Sequence, residues 1–144
     1  MTEGDCMKTW QIPLRLSTGA FILNSGLSKR GLVGKAAEGI HGFAASGTPE
    51  VAEMEPETFV KSLSTAEILL GVALLLPIVP SGLVGVALTA FSLGLNRFYW
   101  KAPGLRQEGD VRPTEAGTAI AKDVWMTSIG VALILDALTD RRGG

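Results

Sequence analysis

A single cysteine, Cys6, and a single histidine, His41, stand in a chain of 144 residues. One thiol excludes an internal disulfide, a CxxC redox pair and any cysteine-rich metal centre. One imidazole leaves a histidine-based metal site dependent on unusual carboxylate help. No nucleophile–base pair stands out, so the expected set of metal ligands is empty and so is the set of catalytic residues. The net charge is −1, which provides no electrostatic footprint for nucleic acid. The opening MTEGD is acidic without an apolar core; it reads as neither a signal peptide nor a lipoprotein leader, and Cys6 as an incidental thiol.

Charge is also missing from the middle of the chain. No Asp, Glu, Lys or Arg occurs from Ile68 to Asn96, although 19% of all residues are charged. The charges cluster instead at residues 1–15, 29–67, 97–123 and 136–142, and the mean hydropathy is positive. A bilayer demands such partitioning, because a charge at its centre costs about 2.5–3.5 kcal/mol. The length suits one domain.

Proline punctuates the chain. Pro13, Pro56 and Pro113 each open an apolar segment, and proline is tolerated in a first helical turn, where its missing N–H has no partner anyway. Glu57 and Glu115 follow closely and complement the positive helix end. One helix from 57 to 100 would be about 65 Å long, twice the hydrocarbon core of a bilayer. Pro80-Ser-Gly supplies turn chemistry, so two helices and a tight hairpin are expected. The expected fold is an all-α integral membrane four-helix bundle with spans at about 11–30, 57–79, 81–100 and 114–138. Polar loops fill 31–56 and 101–113; within the first, GLVGKAAEGIHGFAASG suits a short interfacial helix.

Lys29, Arg30, Lys35 and Lys61 fall in the first loop, and Arg97, Lys101, Arg106 and Arg112 in the second. The termini and hairpin carry mainly Lys8, Arg141 and Arg142. The positive-inside rule then favours cytoplasmic loops and external termini.

Ionisable residues within spans mark candidate sites. Arg15, Gly19 and Gly26 share a face of the first helix, whose glycines invite close approach of a neighbour. Arg15, Asn24 and the nearby hydroxyls turn this helix toward its neighbours rather than lipid. Glu67 and Gly71 repeat the arrangement on the second helix, with Glu67 in an early turn. Arg15 is expected to pair with Glu67 or Asp123, either locking helix register or lining a ligand or proton site. Lys122-Asp123, early in the last helix, suits a snorkelling lysine beside a capping or pairing aspartate. The candidate polar cluster is Arg15, Asn24, Lys29, Glu67, Lys122 and Asp123. Tyr99, Trp100 and Trp125 read as interfacial anchors, Gly82, Gly85 and Gly94 as packing positions, and His41 as a surface or hydrogen-bonded residue.

The run Arg15-Leu-Ser-Thr-Gly19-Ala-Phe21, followed by Gly26 and Lys29, resembles the opening of DoxX-like membrane proteins, R-x-x-x-G-x-x-F-x-x-x-G-x-x-K, with Phe21 one place early. TAEILLGVALLL is similar to that family's second helix, and AIAKDVW with LILDAL to its last. The resemblance covers about residues 12–138. It implies a four-helix bacterial protein of the cell membrane, with polar positions at Arg15, Lys29, Glu67, Lys122, Asp123 and Asp136. Some members of that family are linked to quinone-dependent sulfur oxidation or to oxidative-stress membrane complexes, and many have no assigned activity. The resemblance therefore implies a membrane redox protein as partner, and a quinone as cofactor only for a quinone-linked function. Expected partners are the lipid bilayer, such a redox protein and other copies of the chain. Three functions follow: a non-catalytic subunit or scaffold of a redox complex, which is favoured; a quinone-linked oxidoreductase component; and a small transporter, for which four helices leave little room.

Overall fold

The computed structural model describes residues 7–143; Cys6 and the acidic opening lie outside them. Among these residues the chain is all-helical: α1 Gln11–Lys29, α2 Gly34–Gly47, a 3₁₀ turn Pro49–Val51, α3 Pro56–Leu75, α4 Ser81–Lys101, α5 Thr118–Ala121 and α6 Val124–Arg142.

Proline sets several of these limits. Pro56 occupies the first turn of α3, with Glu57 beside it. Leu76 is extended ahead of Pro77, the conformation favoured before proline, whose ring crowds a helical predecessor. The helix therefore stops at Leu75, four residues short of the expected Val79. Residues 76–80 make the hairpin, and extended Pro80 caps the start of α4. Glu67 consequently lies about 16 Å from the start of α3 and about 12 Å from its end. It sits mid-helix, not in an early turn.

Pro113 does not open a helix. It pairs with Arg106 in an isolated antiparallel bridge, and Thr114 bonds back to the Leu105 carbonyl. The last helix begins at Thr118 and breaks at Lys122-Asp123. There the amides of Asp123, Trp125 and Met126 bond to the carbonyls three residues earlier, a tighter winding than the α-helix.

α1 lies along α3, and α4 along α6. Glycine allows both close approaches: a Cβ on Gly71 would meet the Leu23 backbone nitrogen at 2.6 Å, and one on Gly85 the Gly130 carbonyl at 2.9 Å. Ile22, Leu70, Leu74, Val84, Leu88, Met126 and Leu133 form the core shared by the four long helices. α2 closes one end of the bundle, with Gly47 against Phe98 and Ala102.

Polarity is arranged inside-out. Gln11, Arg15, Thr18, Ser64, Glu67, Ser92 and Asp123 are buried. Leu16, Phe21, Leu69, Leu83, Leu93, Trp125, Leu135 and Leu138 are exposed. Among the described residues two helices are long and apolar enough to cross a membrane, Pro56–Leu75 and the broken helix Thr118–Arg142.

Candidate functional site

The candidate residues divide between opposite ends of the bundle. Arg15, 1% exposed, meets neither Glu67 nor Asp123. Its Nε donates to the Leu74 carbonyl at 2.8 Å and its Nη2 to those of Ala73 and Leu76 at 3.0 and 2.8 Å. Its Nη1 donates to the Val79 carbonyl at 3.1 Å and to Ser81 Oγ at 3.3 Å. A helix C-terminus leaves its last carbonyls without partners and carries a partial negative charge. One guanidinium here satisfies the end of α3 and the hairpin together. A carboxylate partner is unnecessary because four carbonyl dipoles and a hydroxyl surround the charge.

Around this lock, Ser81 Oγ donates to Gln11 Oε1 at 2.7 Å, and Gln11 Nε2 to Asp136 at 2.7 Å. Lys8 Nζ reaches Asp136 and Asp140, each at 2.8 Å. Hydrogen bonds donated to these two carboxylates hold the Lys8 ammonium above the usual lysine range. Lys8, Gln11 and Asp140 belong to this network, yet nothing in their spacing distinguishes them from solvated terminal residues.

At the other end, Lys29 Nζ meets Glu67 at 3.0 Å. Ser25 Oγ accepts from Lys29 at 2.6 Å and donates to Glu67 at 3.2 Å. Lys29 lies 14 residues beyond Arg15 on α1, about 21 Å along the axis, and so level with Glu67 on antiparallel α3. Asn24 points outward and is exposed; it does not join the cluster.

Lys29, Glu67, Lys122 and Asp123 line a cavity of about 520 Å³, within the range that holds drug-sized ligands, roughly 300–1,000 Å³. All five phenylalanines of the chain, 21, 43, 59, 91 and 98, contribute to its wall, with Ile22, Leu63, Ile120 and Met126. Gly94, expected to pack a helix, faces open space and lines the same cavity. The phenylalanines come from four separate segments, so no motif announces them.

The Asp123 carboxylate, on a residue 7% exposed, neither caps α6 nor appears in any ion pair among the described residues. Lys122 Nζ stands 5.3 Å from the centre of the Phe21 ring.

Of the expected interfacial anchors, Trp100 and Trp125 are exposed, whereas Tyr99 is buried and donates to the Val111 carbonyl. His41 Nε2 is 2.7 Å from the Val51 carbonyl. Arg97 pairs with Glu50, and this hydrogen bond holds the Glu50 carboxyl below the usual glutamate range. Among the described residues no three His, Cys, Asp or Glu side chains converge to hold a metal ion.

A scan of family models, a search of curated proteins and a search of solved structures each returned no match for the chain.

Proposed function

We propose that the chain is a DoxX-like multi-pass protein of the cell membrane, with α1, α3, α4 and α6 as spans, and a non-catalytic subunit of a membrane-associated redox complex. The distribution of polarity carries the membrane part: large apolar side chains face outward on all four long helices while Gln11, Arg15, Thr18, Ser64, Glu67, Ser92 and Asp123 are buried. Water rewards the opposite arrangement. The four helices have 19, 20, 21 and 19 residues, about 28–32 Å each, and a bilayer core is about 30 Å thick. Arg15 is compatible with a span because its charge is surrounded by protein acceptors. The subunit role rests on the resemblance of the Arg15–Lys29 and Glu67–Gly71 segments.

Cysteine labelling tests the topology in a Cys6→Ser background. Probes at Ser81 and Gln107 are expected on opposite membrane faces; labelling from one face, or a chain free in the soluble fraction, overturns the four-span arrangement. Co-purification in mild detergent is expected to retain a redox protein, and purification of the chain alone counts against the subunit role.

The cavity favours a second function, a quinone-linked component. Its aromatic wall suits a flat ring, and Lys29 and Lys122 would supply donors to carbonyl oxygens. Quinone retained through purification, and lost when Gly94→Leu fills the cavity, would support it.

A further inference from the structure

Two charged groups in the cavity wall form no ion pair among the described residues. Lys29 is neutralised by Glu67 and Arg97 by Glu50, which leaves Asp123 and Lys122. Asp123 is more than nine-tenths buried, and no side-chain hydrogen bond joins it to a described residue. No side-chain nitrogen or oxygen fully sealed from solvent lacks a hydrogen bond among the described residues, so the Asp123 oxygens retain some access, and Asp123 is among the residues that line the cavity. A carboxylate so placed calls for a counter-charge, because low-dielectric surroundings make an unpaired ion costly. Lys122 attracts it through space but forms no ion pair with it; its ammonium stands over Phe21.

That placement shows what the cavity wall accepts. The face of an aromatic ring attracts cations through its quadrupole, and aromatic cages are a recurrent way of holding quaternary ammonium groups. The Lys122 ammonium occupies one such face already. It hangs on a long flexible stem on an exposed residue and can swing out to water, which vacates the ring and withdraws a positive charge that would repel an incoming cation.

We propose that this cavity binds a lipophilic organic cation, with Asp123 as its counter-charge and the phenylalanine rings as its wall. The ligand is a bulky apolar body bearing a delocalised or quaternary positive charge. An anion of the same shape would meet the Asp123 carboxylate and the negative faces of the rings, with Lys122 as its attractive charge because Lys29 and Arg97 are held in ion pairs. This inference rests on the cavity as a ligand site and only for ligand entry on the membrane reading.

The test uses two probes of one shape and opposite charge, tetraphenylphosphonium and tetraphenylborate, in equilibrium dialysis against the full chain in nanodiscs, with empty nanodiscs subtracted. Saturable binding of the phosphonium alone is expected. Asp123→Asn should weaken it about tenfold or more and Lys122→Gln strengthen it a few-fold, as removal of an attractive and a repulsive charge requires. Asp123→Glu should retain it.

Equal binding of both probes, preference for the borate, or an unchanged affinity in Asp123→Asn overturns the proposal. So does displacement by neutral decylubiquinone with no charge preference between the probes, the outcome the quinone function predicts. If Asp123→Asn fails to fold, the wild-type preference between the probes decides. If cysteine labelling refutes the four spans, the same comparison in detergent micelles still decides, so the two proposals fail separately.

Discussion

The two ends of this bundle handle buried charge in opposite ways. At the hairpin end, Arg15 has five acceptors, and Gln11, Ser81 and Lys8 extend the network to Asp136 and Asp140. At the cavity end, two ion pairs are complete and the Asp123 carboxylate has no side-chain partner among the described residues. A satisfied network fixes geometry and leaves nothing for a ligand to add. An unsatisfied charge beside empty space leaves interaction energy for something else to claim. Polar residues within an apolar bundle are therefore not equivalent, and their partners separate structural from ligand-binding roles.

The sharpest way to break this contrast is Arg15→Met. It strips donors from four carbonyls at the hairpin, of which, among the described residues, only that of Leu76 keeps another donor, the Val79 amide. At about 1–3 kcal/mol for each unsatisfied group a loss of about 4 kcal/mol or outright misfolding is expected in detergent unfolding. Arg15→Lys should rescue little, since an ammonium has three donors and no planar fork. A mild effect of Arg15→Met would show that the hairpin closes without its lock.

Next in size is the Lys29–Glu67 pair. Lys29→Met leaves Glu67 buried without its counter-charge and should cost about 3 kcal/mol. The double variant Lys29→Met/Glu67→Leu should recover to within about 1 kcal/mol of the parent. Failure of the double variant to recover would give the pair a role beyond holding register.

Glycines sharpen the comparison at lower cost. Gly71→Ala places a methyl against the backbone of Leu23 and should destabilise by about 1–3 kcal/mol. Gly94→Ala extends into open space and should stay within about 0.5 kcal/mol. Equal effects in thermal unfolding would remove the distinction between packed and cavity-lining glycines.

The smallest expected effect is acid sensitivity at Glu50. Its folded carboxyl titrates below the ordinary glutamate value because Arg97 donates to it. Its contribution is therefore complete above the unfolded value and disappears as pH falls through the lower folded one. The thermal midpoint of Glu50→Gln should show a shallower acid-side slope than that of the parent. Both groups are exposed, so screening by salt should reduce the difference.

Much of the helical framework was legible because its causes are local. Pro56 starts α3, and Pro77 stops it by acting on Leu76. The shared face of Arg15, Gly19 and Gly26 follows from helical spacing, and each of the three is buried in the structure. Pro113 misled, because its ring is equally at home beside a β-bridge, and the choice depended on contact with the Arg106 segment. Arg15 misled in a different way: a buried arginine implies acceptors, but carboxylates are visible in a sequence while free carbonyls appear only when a helix ends in space.

Thus the sequence by itself determined the helices, the glycine faces and the sorting of charge to segment ends, since propensity, proline sterics and apolar length act over a few residues. Only the tertiary structure decided who meets whom. Antiparallel α3 brings its frayed end to Arg15 and Glu67 to Lys29. Four distant segments gather five phenylalanines around one space beside Asp123. Those meetings depend on crossing, register and depth along neighbouring helices, which no spacing within one helix encodes.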